Sequence, residues 1–184
     1  LRQVEAIGFE DGWLTEGILS SSFHLEPVTY LAYVAALTQK LRLGVAVIIL
    51  NTRNPVQLAK ALATVDHLSN GRMILGVGLG GGTRNYAAFG INADKRVSRF
   101  EEAINVMKAL WTQETVNHPG PLWKLDNARM KPKCLQKPHL PIYFGGHAEP
   151  AMRRAVRMGD GWMAAGSTST AQSLVDLRRI RELI

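Results

Sequence analysis

The segment LRLGVAVIILNTRNPVQLAKALATVDHLSNGRMILGVG, Leu41–Gly78, decides the fold of this chain. Its first part, Leu41–Leu50, is apolar on both faces and rich in branched side chains, as in a parallel strand covered on both sides. Asn54–Leu68 carries apolar residues every three or four positions, which predicts a helix that ends at Ser69–Gly71. Arg72–Gly78 predicts a second buried strand. The order strand, helix, strand is typical of a parallel sheet with crossover helices.

Short apolar segments with glycine near their ends recur on either side of this unit. They predict three further strands, at Asp11–Gly17, Pro141–Gly146 and Asp160–Gly166. Segments of helical periodicity predict helices from Pro27 to about Lys40, from Phe100 to Trp111, at Glu149–Met158 and from Thr170 onward. Strands and helices in this alternation fit either a closed barrel or an open, doubly wound sheet, and periodicity does not decide between the two.

Two local signals concern the middle of the chain. Ser98 and Glu101 have the spacing of a capping box, so we expect the helix around Phe100 to begin there. From Gln113 to Leu140 the periodicity is lost among prolines and a glycine, which predicts an excursion rather than a compact crossover. Such excursions usually lie beside a binding site.

The composition excludes several classes of protein. The 184 residues are 46% hydrophobic and 20% charged, which is ordinary for a globular domain and excludes disordered and collagen-like chains. The single cysteine, Cys134, cannot form an internal disulfide, so we expect a reducing cytoplasm. No apolar stretch approaches the roughly 20 residues that a membrane-spanning helix needs. The net charge of +7 is spread along the chain without a nucleic-acid-binding module, so we expect an anionic small ligand rather than nucleic acid.

A glycine-rich loop begins within the second buried strand. Gly76, Gly78 and Gly81 match the pattern G-x-G-x-x-G, and Asp94 follows at a distance suited to a ribose contact. A dinucleotide site needs a helix that opens inside the glycines, whereas here Gly80–Gly82 run on into a further loop. A flexible turn and a dinucleotide loop remain alternatives, but we favour a backbone loop that holds a phosphate at the carboxyl end of a strand.

A second glycine pair, Gly145 and Gly146, ends another predicted strand and precedes a helix. Glycine lets consecutive backbone N–H groups face an anion without side chains in the way. Two strand-end sites suit one phosphorylated cofactor that lies across the carboxyl face of a parallel barrel. Tight turns are the alternative explanation for each pair.

Patterns for other chemistries are missing from the sequence. The five histidines show neither H-x-x-x-H nor H-E-x-x-H spacing, so we predict no metal site. The sequence contains no G-x-S-x-G elbow and no G-K-[ST] after the glycines, which argues against a serine hydrolase and a P-loop enzyme. Glu16, at the end of a predicted strand, is the carboxylate placed for catalysis, with a purely structural role as the alternative.

Longer motifs resemble a known family. GFEDGWLTEG, the segment Leu41–Gly82, RFEEAINVMKALW, PIYFGG and RRAVRMGDGW resemble, in order and spacing, the bacterial luciferase-like monooxygenase superfamily, which includes oxidoreductases that use a deazaflavin coenzyme. The likeness covers nearly the whole chain. Its most specific parts are NPVQLAKALATVDHLSNGRMILGVG and the late MGDGW.

The resemblance implies a TIM-like (β/α)8 barrel with FMN or a deazaflavin (coenzyme F-420) at the carboxyl ends of the strands. It implies an oxidoreductase or monooxygenase that transfers hydride, or activates oxygen, on a small organic substrate. In the family a bulged strand with a non-proline cis peptide backs the flavin ring, and Ala46–Val47 is the matching bond here. The residues that match those holding the cofactor's phosphate or linker are Leu79, Gly80, Gly81, Gly145 and Gly146. Arg72 and Asp160 match motif positions on the opposite side, so we assign them to the scaffold.

Two positions depart from the family. Many members have histidine directly after the glutamate that matches Glu16, whereas this chain has Gly17, so we expect no catalytic imidazole from that position. The sugar-phosphate dehydrogenases have a glutamate where this chain has Gly81, which argues against their acid–base mechanism. We therefore expect hydride transfer governed by cofactor placement, with a slight preference for the deazaflavin from the segments TEG and GGHAEP. A non-catalytic binding or partner subunit and an NAD(P)-dependent Rossmann dehydrogenase are the alternatives.

The chain is short for the fold that it resembles. A (β/α)8 barrel needs about 250 residues, and the predicted strands match the family's second to sixth. We therefore expect residues 1–184 to be a single luciferase-like barrel domain, truncated at both ends. We expect the full-length protein to be a homo-oligomer.

Overall fold

Parallel strands form the centre of the fold. A computed structural model describes residues 2–80, 82–83, 85–166 and 168–184. Seven strands lie in these ranges: β1 Asp11–Leu14, β2 Arg42–Ile49, β3 Met73–Gly78, β4 Val116–His118, β5 Leu125–Ala128, β6 Ile142–Gly145 and β7 Gly161–Met163. Six α-helices accompany them: α1 Arg2–Ala6, α2 Pro27–Leu37, α3 Pro55–Leu68, α4 Arg96–Thr112, α5 Glu149–Met158 and α6 Thr170–Glu182.

Five of the strands form one sheet in the order β1-β2-β3-β6-β7, and every neighbouring pair is parallel. Each successive strand of this sheet is added at the same edge, so the described strands lack the reversal of order that defines a doubly wound sheet. This sequential order is that of a barrel. The sheet does not close, because β1 and β7 lie at its two edges. The prediction of an α/β fold with an incomplete parallel barrel is confirmed.

The hydrophobic core lies between one face of this sheet and the helices. Alternate strand residues such as Leu43, Leu75 and Phe144 are buried there against helix residues. Phe100 of α4 meets Phe144 edge-on with 5.6 Å between ring centroids. Trp111 at the other end of α4 is also buried, and its Nε1 donates to the backbone oxygen of Ala59 at 3.0 Å. α3 and α4 therefore fix the sheet from one side only.

Local capping signals set most helix boundaries as predicted. Pro27 and Pro55 occupy the first turns of α2 and α3, and the Asn54 side chain accepts from the backbone of Val56 at 2.9 Å. α3 ends where Asn70 and Gly71 take positive φ angles of 57° and 76°. The predicted end of α2 near Lys40 is three residues late, because α2 stops at Leu37.

The predicted capping box at the start of α4 is wrong. α4 begins at Arg96, directly after a 3-10 turn at Ala93–Lys95, and no side chain caps it. The Ser98 hydroxyl donates to the Lys95 backbone oxygen at 3.0 Å, and Glu101 pairs with Arg157 at 2.6 Å. The turn at Ala93–Lys95 already leads the chain into α4, so Ser98 and Glu101 lie inside the helix.

The excursion between α4 and β6 contains an antiparallel pair of strands, β4 and β5. Each has at most four residues, and the sequences VNH and LDNA lack the apolar run that marks the strands of the main sheet. Buried Glu102 of α4 holds its first part, because Oε1 accepts from the backbone of Leu122 at 3.1 Å and of Trp123 at 2.9 Å. Buried Asp66 of α3 holds its last part by accepting from the Leu135 backbone at 2.7 Å.

Motif residues at the amino ends of the strands serve the scaffold, as expected. Arg72 donates to backbone oxygens of Leu41 at 2.6 Å and of Thr38 at 2.9 Å. The Asp160 carboxylate accepts from the Ile142 backbone at 2.8 Å. Among the described residues, no helix combines the length and the apolar character needed to cross a bilayer.

Cys134 gives a direct test of this packing. Its side chain is 2% exposed, and burial raises the pKa of the thiol to about 11. Because the thiolate is the nucleophile, we expect a disulfide reagent to leave the native protein unlabelled at about pH 8 and to label it fully in denaturant. Labelling of native protein should rise only as the pH approaches the raised pKa. Rapid labelling of native protein at neutral pH would contradict the buried position.

Candidate functional site

The carboxyl ends of the sheet strands form one rim, and the described candidate residues lie on it. Because the strands are parallel, the residues that follow β1, β2, β3 and β6 meet at this edge. Glu16 follows β1, Leu79 and Gly80 follow β3, and Gly146 follows β6. Ala46 and Val47 lie in the second half of β2, and Gly145 ends β6. Gly81, which was also predicted to bind the cofactor, lies outside the described residues.

The predicted irregularity in β2 is confirmed. The peptide bond between Ala46 and Val47 is cis. Val45 pairs with Leu75 and Ile48 pairs with Val77, so β2 has one more residue than β3 across this step. An extra residue of this kind is a β-bulge, which redirects the side chains next to it.

The bulge brings the Val47 side chain over two glycines of neighbouring strands. A Cβ on Gly78 would lie 2.7 Å from Val47 Cγ2, and a Cβ on Gly145 would lie 2.8 Å from Val47 Cγ1. A Cβ on Gly76 would lie 1.9 Å from the Val45 backbone oxygen. These three glycines therefore make room for the bulged strand, a steric role that the phosphate interpretation of the glycine pattern did not include.

Val47 forms an apolar floor near the rim. It is half-buried and lies on the sheet face opposite the helix-covered core. Nearer the amino ends of the strands the same face carries the rings of Trp13 and Tyr143, whose centroids are 6.1 Å apart. The Trp13 ring lies on Gly44, where a Cβ would meet it at 2.3 Å. The sheet face opposite the core is thus aromatic toward the amino ends of the strands and aliphatic, with glycines beneath Val47, toward the rim.

Gly146 follows β6 and forms hydrogen bonds to residues of β7. It has a positive φ of 132°, its N–H donates to the Met163 backbone oxygen at 3.3 Å, and its own oxygen accepts from Trp162 Nε1 at 2.7 Å. Both backbone groups of Gly146 already have partners within the sheet. The predicted cofactor contact at Gly145 and Gly146 stays a prediction.

The loop after β3 begins with Leu79 and Gly80. Gly80 has a φ of +81°, and the Leu79 backbone oxygen accepts from the Tyr86 hydroxyl at 2.8 Å. Buried Asn51, just after β2, donates through Nδ2 to Tyr86 Oη at 3.2 Å and to the Arg96 backbone oxygen at 3.0 Å. A buried polar network therefore connects this loop to the start of α4.

Positive charge collects near the start of α4. Arg99 donates through Nε to the Asn51 backbone oxygen at 3.2 Å and lies over the Trp123 ring, 4.6 Å from its centroid. Burial lowers the pKa of the Arg99 guanidinium. Burial also lowers the pKa of Arg154; the charge of Glu101 opposes this shift, and the charges of Arg157 and Arg96 add to it. Arginines in such surroundings stay charged and favour an anion nearby.

The Glu16 carboxylate is occupied by other groups of the protein. Its side chain is 0% exposed. Oε2 accepts from the Ile49 backbone at 2.6 Å, and Oε1 accepts from Arg53 Nε at 3.0 Å. Arg53 also pairs with Glu26 at 2.9 Å. Burial alone would lower the pKa of Arg53, but its hydrogen bonds to Glu16 and Glu26 and their charges raise it. The predicted catalytic role of Glu16 stays a prediction.

An imidazole lies beside Gly17 although residue 17 is not a histidine. A Cβ on Gly17 would lie 2.7 Å from Nδ1 of His24, a residue of the exposed loop before α2. His24 Nδ1 also lies 3.1 Å from the Ser22 backbone oxygen. The departure from the family at residue 17 thus leaves an imidazole nearby, supplied from another position.

The sequence patterns missed Asn51, Tyr86 and Arg99. The one available signal was a polar residue, Asn51, directly after a strand that is apolar on both faces. Tyr86 and Arg99 follow no motif that marks a site. Within the described part of the chain, no three His, Cys, Asp or Glu side chains come together in a group that could hold a metal ion.

Comparison with known proteins places these observations in a family. A family model described as luciferase-like monooxygenase matches residues 1–184. The FMNH(2)-dependent dimethylsulfone monooxygenase of Pseudomonas putida is 33% identical over 146 residues, which are 78% of this chain and 40% of that protein. The chain spans about half the length of the first curated relatives it matches.

Solved structures agree in fold. The monooxygenase RslO1 from Streptomyces bottropensis superimposes with a TM-score of 0.84 at 28% identity, over 97% of this chain and 55% of that one. The coenzyme F-420 dependent tetrahydromethanopterin reductase from Methanopyrus kandleri gives a TM-score of 0.80 over 98% of this chain and 55% of that one. Its identity is 22%, so this second likeness concerns the fold alone.

Proposed function

The chain belongs to the luciferase-like monooxygenase family, and from this premise we propose that it provides the cofactor-binding rim of an FMN- or deazaflavin-dependent oxidoreductase. The substrate in this proposal is a small organic molecule. The observation that carries it is the floor that Val47 forms across Gly78 and Gly145 at the carboxyl ends of the strands. An aliphatic side chain with only glycines beneath it suits one face of an aromatic ring system.

The residues present fit such a cofactor at both of its ends. At the bulge in β2 the Val47 side chain lies over Gly78 and Gly145, where no other side chain competes for the space. Leu79 and Gly80 begin a loop at the same rim, and partly buried Arg99 connects to this loop through Asn51 and Tyr86. Backbone N–H groups in a glycine loop near arginines suit a phosphate or the phosphate-bearing linker of a deazaflavin.

The bound cofactor would supply the redox chemistry, either by accepting or donating a hydride or, as reduced FMN, by activating oxygen. The residues of this chain hold it in position and cover one face of its ring. For Glu16 the contacts favour a positioning role, because proton transfer would first require its carboxylate to release Arg53 or Ile49. The residues of the excursion, Gln113–Leu140, and of the loop Ser20–Leu25 would contact the substrate.

FMN and the deazaflavin coenzyme F-420 both stay within the proposal. The P. putida relative is named for FMNH(2) and the M. kandleri structure for coenzyme F-420. The segments TEG and GGHAEP carry a slight preference for the deazaflavin. We further propose that the full-length protein is a cytoplasmic homo-oligomer that acts without nucleic acid or membrane.

Cofactor titration tests the proposal. We expect the purified full-length protein to bind FMN or coenzyme F-420 with a dissociation constant in the micromolar range or below, followed by quenching of the ligand's fluorescence, and to turn over when a reductant is supplied. NADPH serves as the comparison ligand. Binding of neither FMN nor the deazaflavin would contradict the proposal, tight binding of NADPH alone would favour a Rossmann-type dehydrogenase, and binding without turnover would favour a non-catalytic partner.

A further inference from the structure

We infer that Tyr86, supported by Asn51, is a positioning residue that sets the direction of the Leu79–Gly80 peptide and so controls how this loop binds the cofactor's phosphate. The inference rests on the proposed function. It concerns residues that touch the loop rather than the cofactor.

Tyr86 connects the loop back to its own start. The residue is 4% exposed, and its hydroxyl donates to the Leu79 backbone oxygen at 2.8 Å across seven positions of sequence. The backbone around it is also fixed, because the Tyr86 N–H donates to the Thr83 oxygen and the Ile91 N–H donates to the Tyr86 oxygen, both at 3.0 Å. The hydroxyl is therefore held in place from both sides of the residue.

Asn51 fixes the orientation of the Tyr86 hydroxyl. Its side chain is 0% exposed and donates through Nδ2 both to Tyr86 Oη at 3.2 Å and to the Arg96 backbone oxygen at 3.0 Å. Rotating the amide by half a turn would bring Oδ1 against the Arg96 oxygen, two acceptors together. Because Asn51 acts as the donor, Tyr86 Oη accepts from it and directs its own hydrogen at Leu79.

The bond to Leu79 has a consequence for Gly80. In a trans peptide the C=O of one residue and the N–H of the next point in opposite directions. With the Leu79 oxygen directed at Tyr86, the Gly80 N–H points away from it. Glycine at a φ of +81° lets the peptide plane turn at little cost. A buried hydrogen bond is therefore what keeps the N–H in one direction.

A phosphate contact at this loop depends on that direction. Preorganised N–H groups bind an anion better than groups that must reorient, because the reorientation costs part of the binding free energy. The ring end of the cofactor lies on Val47 in the proposed site and makes no use of this peptide. Loss of the Tyr86 hydroxyl should therefore weaken binding of a phosphate-bearing cofactor selectively.

The test compares FMN with riboflavin, which has the same ring system without the phosphate. In the Tyr86→Phe variant we expect the dissociation constant of FMN to rise about tenfold, the size of one lost charge-assisted contact, while that of riboflavin stays unchanged. Tyr33→Phe is the matched control, because Tyr33 is 61% exposed on α2. The dissociation constants of Tyr33→Phe for FMN and for riboflavin should equal those of the wild type. For a protein that prefers the deazaflavin, coenzyme F-420 and its phosphate-free chromophore replace the two flavins.

The outcomes separate this inference from the proposed function. Equal weakening of both ligands would mean a merely structural role for Tyr86 and overturn the inference, and so would no weakening of either. Wild-type protein that binds the two ligands equally well would also overturn it while leaving ring binding intact. Wild-type protein that binds no flavin or deazaflavin overturns the proposed function itself. If Tyr86→Phe does not fold, Asn51→Ser replaces it, because this variant leaves the Tyr86 hydroxyl without its donor. We expect Asn51→Ser to weaken FMN binding less than Tyr86→Phe would, and to leave riboflavin binding unchanged. Equal weakening of both ligands would contradict the inference.

Discussion

The Gly76→Ala variant is expected to lose at least about 4 kcal/mol of its free energy of unfolding, an effect at the upper end for single substitutions. A Cβ at residue 76 would lie 1.9 Å from the Val45 backbone oxygen. Gly76 pairs with Tyr143 on one side and lies against bulged β2 on the other, so the backbone cannot move away without breaking pairs in both neighbours. Urea unfolding followed by circular dichroism measures the loss.

Two other glycines make a graded comparison. At Gly78 the obstacle is a side-chain methyl of Val47 at 2.7 Å, which can rotate, so Gly78→Ala should cost about 1–3 kcal/mol. At Gly82 a Cβ would have no other atom within 4 Å, and Gly82→Ala should change stability by less than about 0.5 kcal/mol. A Gly76→Ala variant as stable as Gly82→Ala would show that the Val45 carbonyl does not face β3.

The Arg53→Leu variant is expected to lose about 3–5 kcal/mol of its free energy of unfolding, the cost of leaving a buried charge without its partner. The Glu16 side chain is 0% exposed, and Arg53 is the cation bound to it. Without Arg53 the carboxylate keeps the hydrogen bond from Ile49 but has lost its neutralising charge. Urea unfolding at neutral pH again gives the measurement.

Two further variants isolate the charge in this result. Combining Arg53→Leu with Glu16→Gln removes the unpaired carboxylate, so the double variant should be more stable than Arg53→Leu alone. Arg42 pairs with Asp11 at 2.5 Å, with side chains that are 48% and 31% exposed. Arg42→Leu should therefore cost less than about 1 kcal/mol. If Arg53→Leu lost as little free energy of unfolding as Arg42→Leu, this result would contradict the buried Glu16–Arg53 ion pair.

The parallel sheet and its helices were predictable because the strands are apolar runs and the helices repeat apolar residues every three or four positions over several turns. Arg42–Ile49 is an unbroken apolar run after its first residue, and α5 and α6 begin at Glu149 and Thr170, as predicted. The strands of the excursion were missed because VNH and LDNA are half polar or more, whereas the equally short β6 and β7 are apolar. The start of α4 was misplaced because a backbone turn, rather than a capping side chain, initiates the helix.

The candidate site was predictable only at the level of position. The rule that sites lie after strands selected Glu16 and Gly80, and the family resemblance selected Leu79 and the cis bond after Ala46. The partners of those residues were not predictable, because Glu16 meets Arg53 across 37 positions and Leu79 meets Tyr86 through a side chain that no motif marks. The reason for glycine at residue 78, a valine on the next strand, is likewise a contact between distant parts of the chain.

The attachment of the excursion limits how a new substrate preference could be engineered or evolve. Trp123 is held by Glu102 through its backbone and supports Arg99 with its ring, and Arg99 in turn contacts Asn51. If the proposed function holds, exchanging residues 118–123 for those of another protein would disturb the proposed cofactor side of the rim together with the proposed substrate side. Residues 124–129 lie beyond this attachment, so a library of variants that aims at new substrates with the cofactor retained should be confined to them.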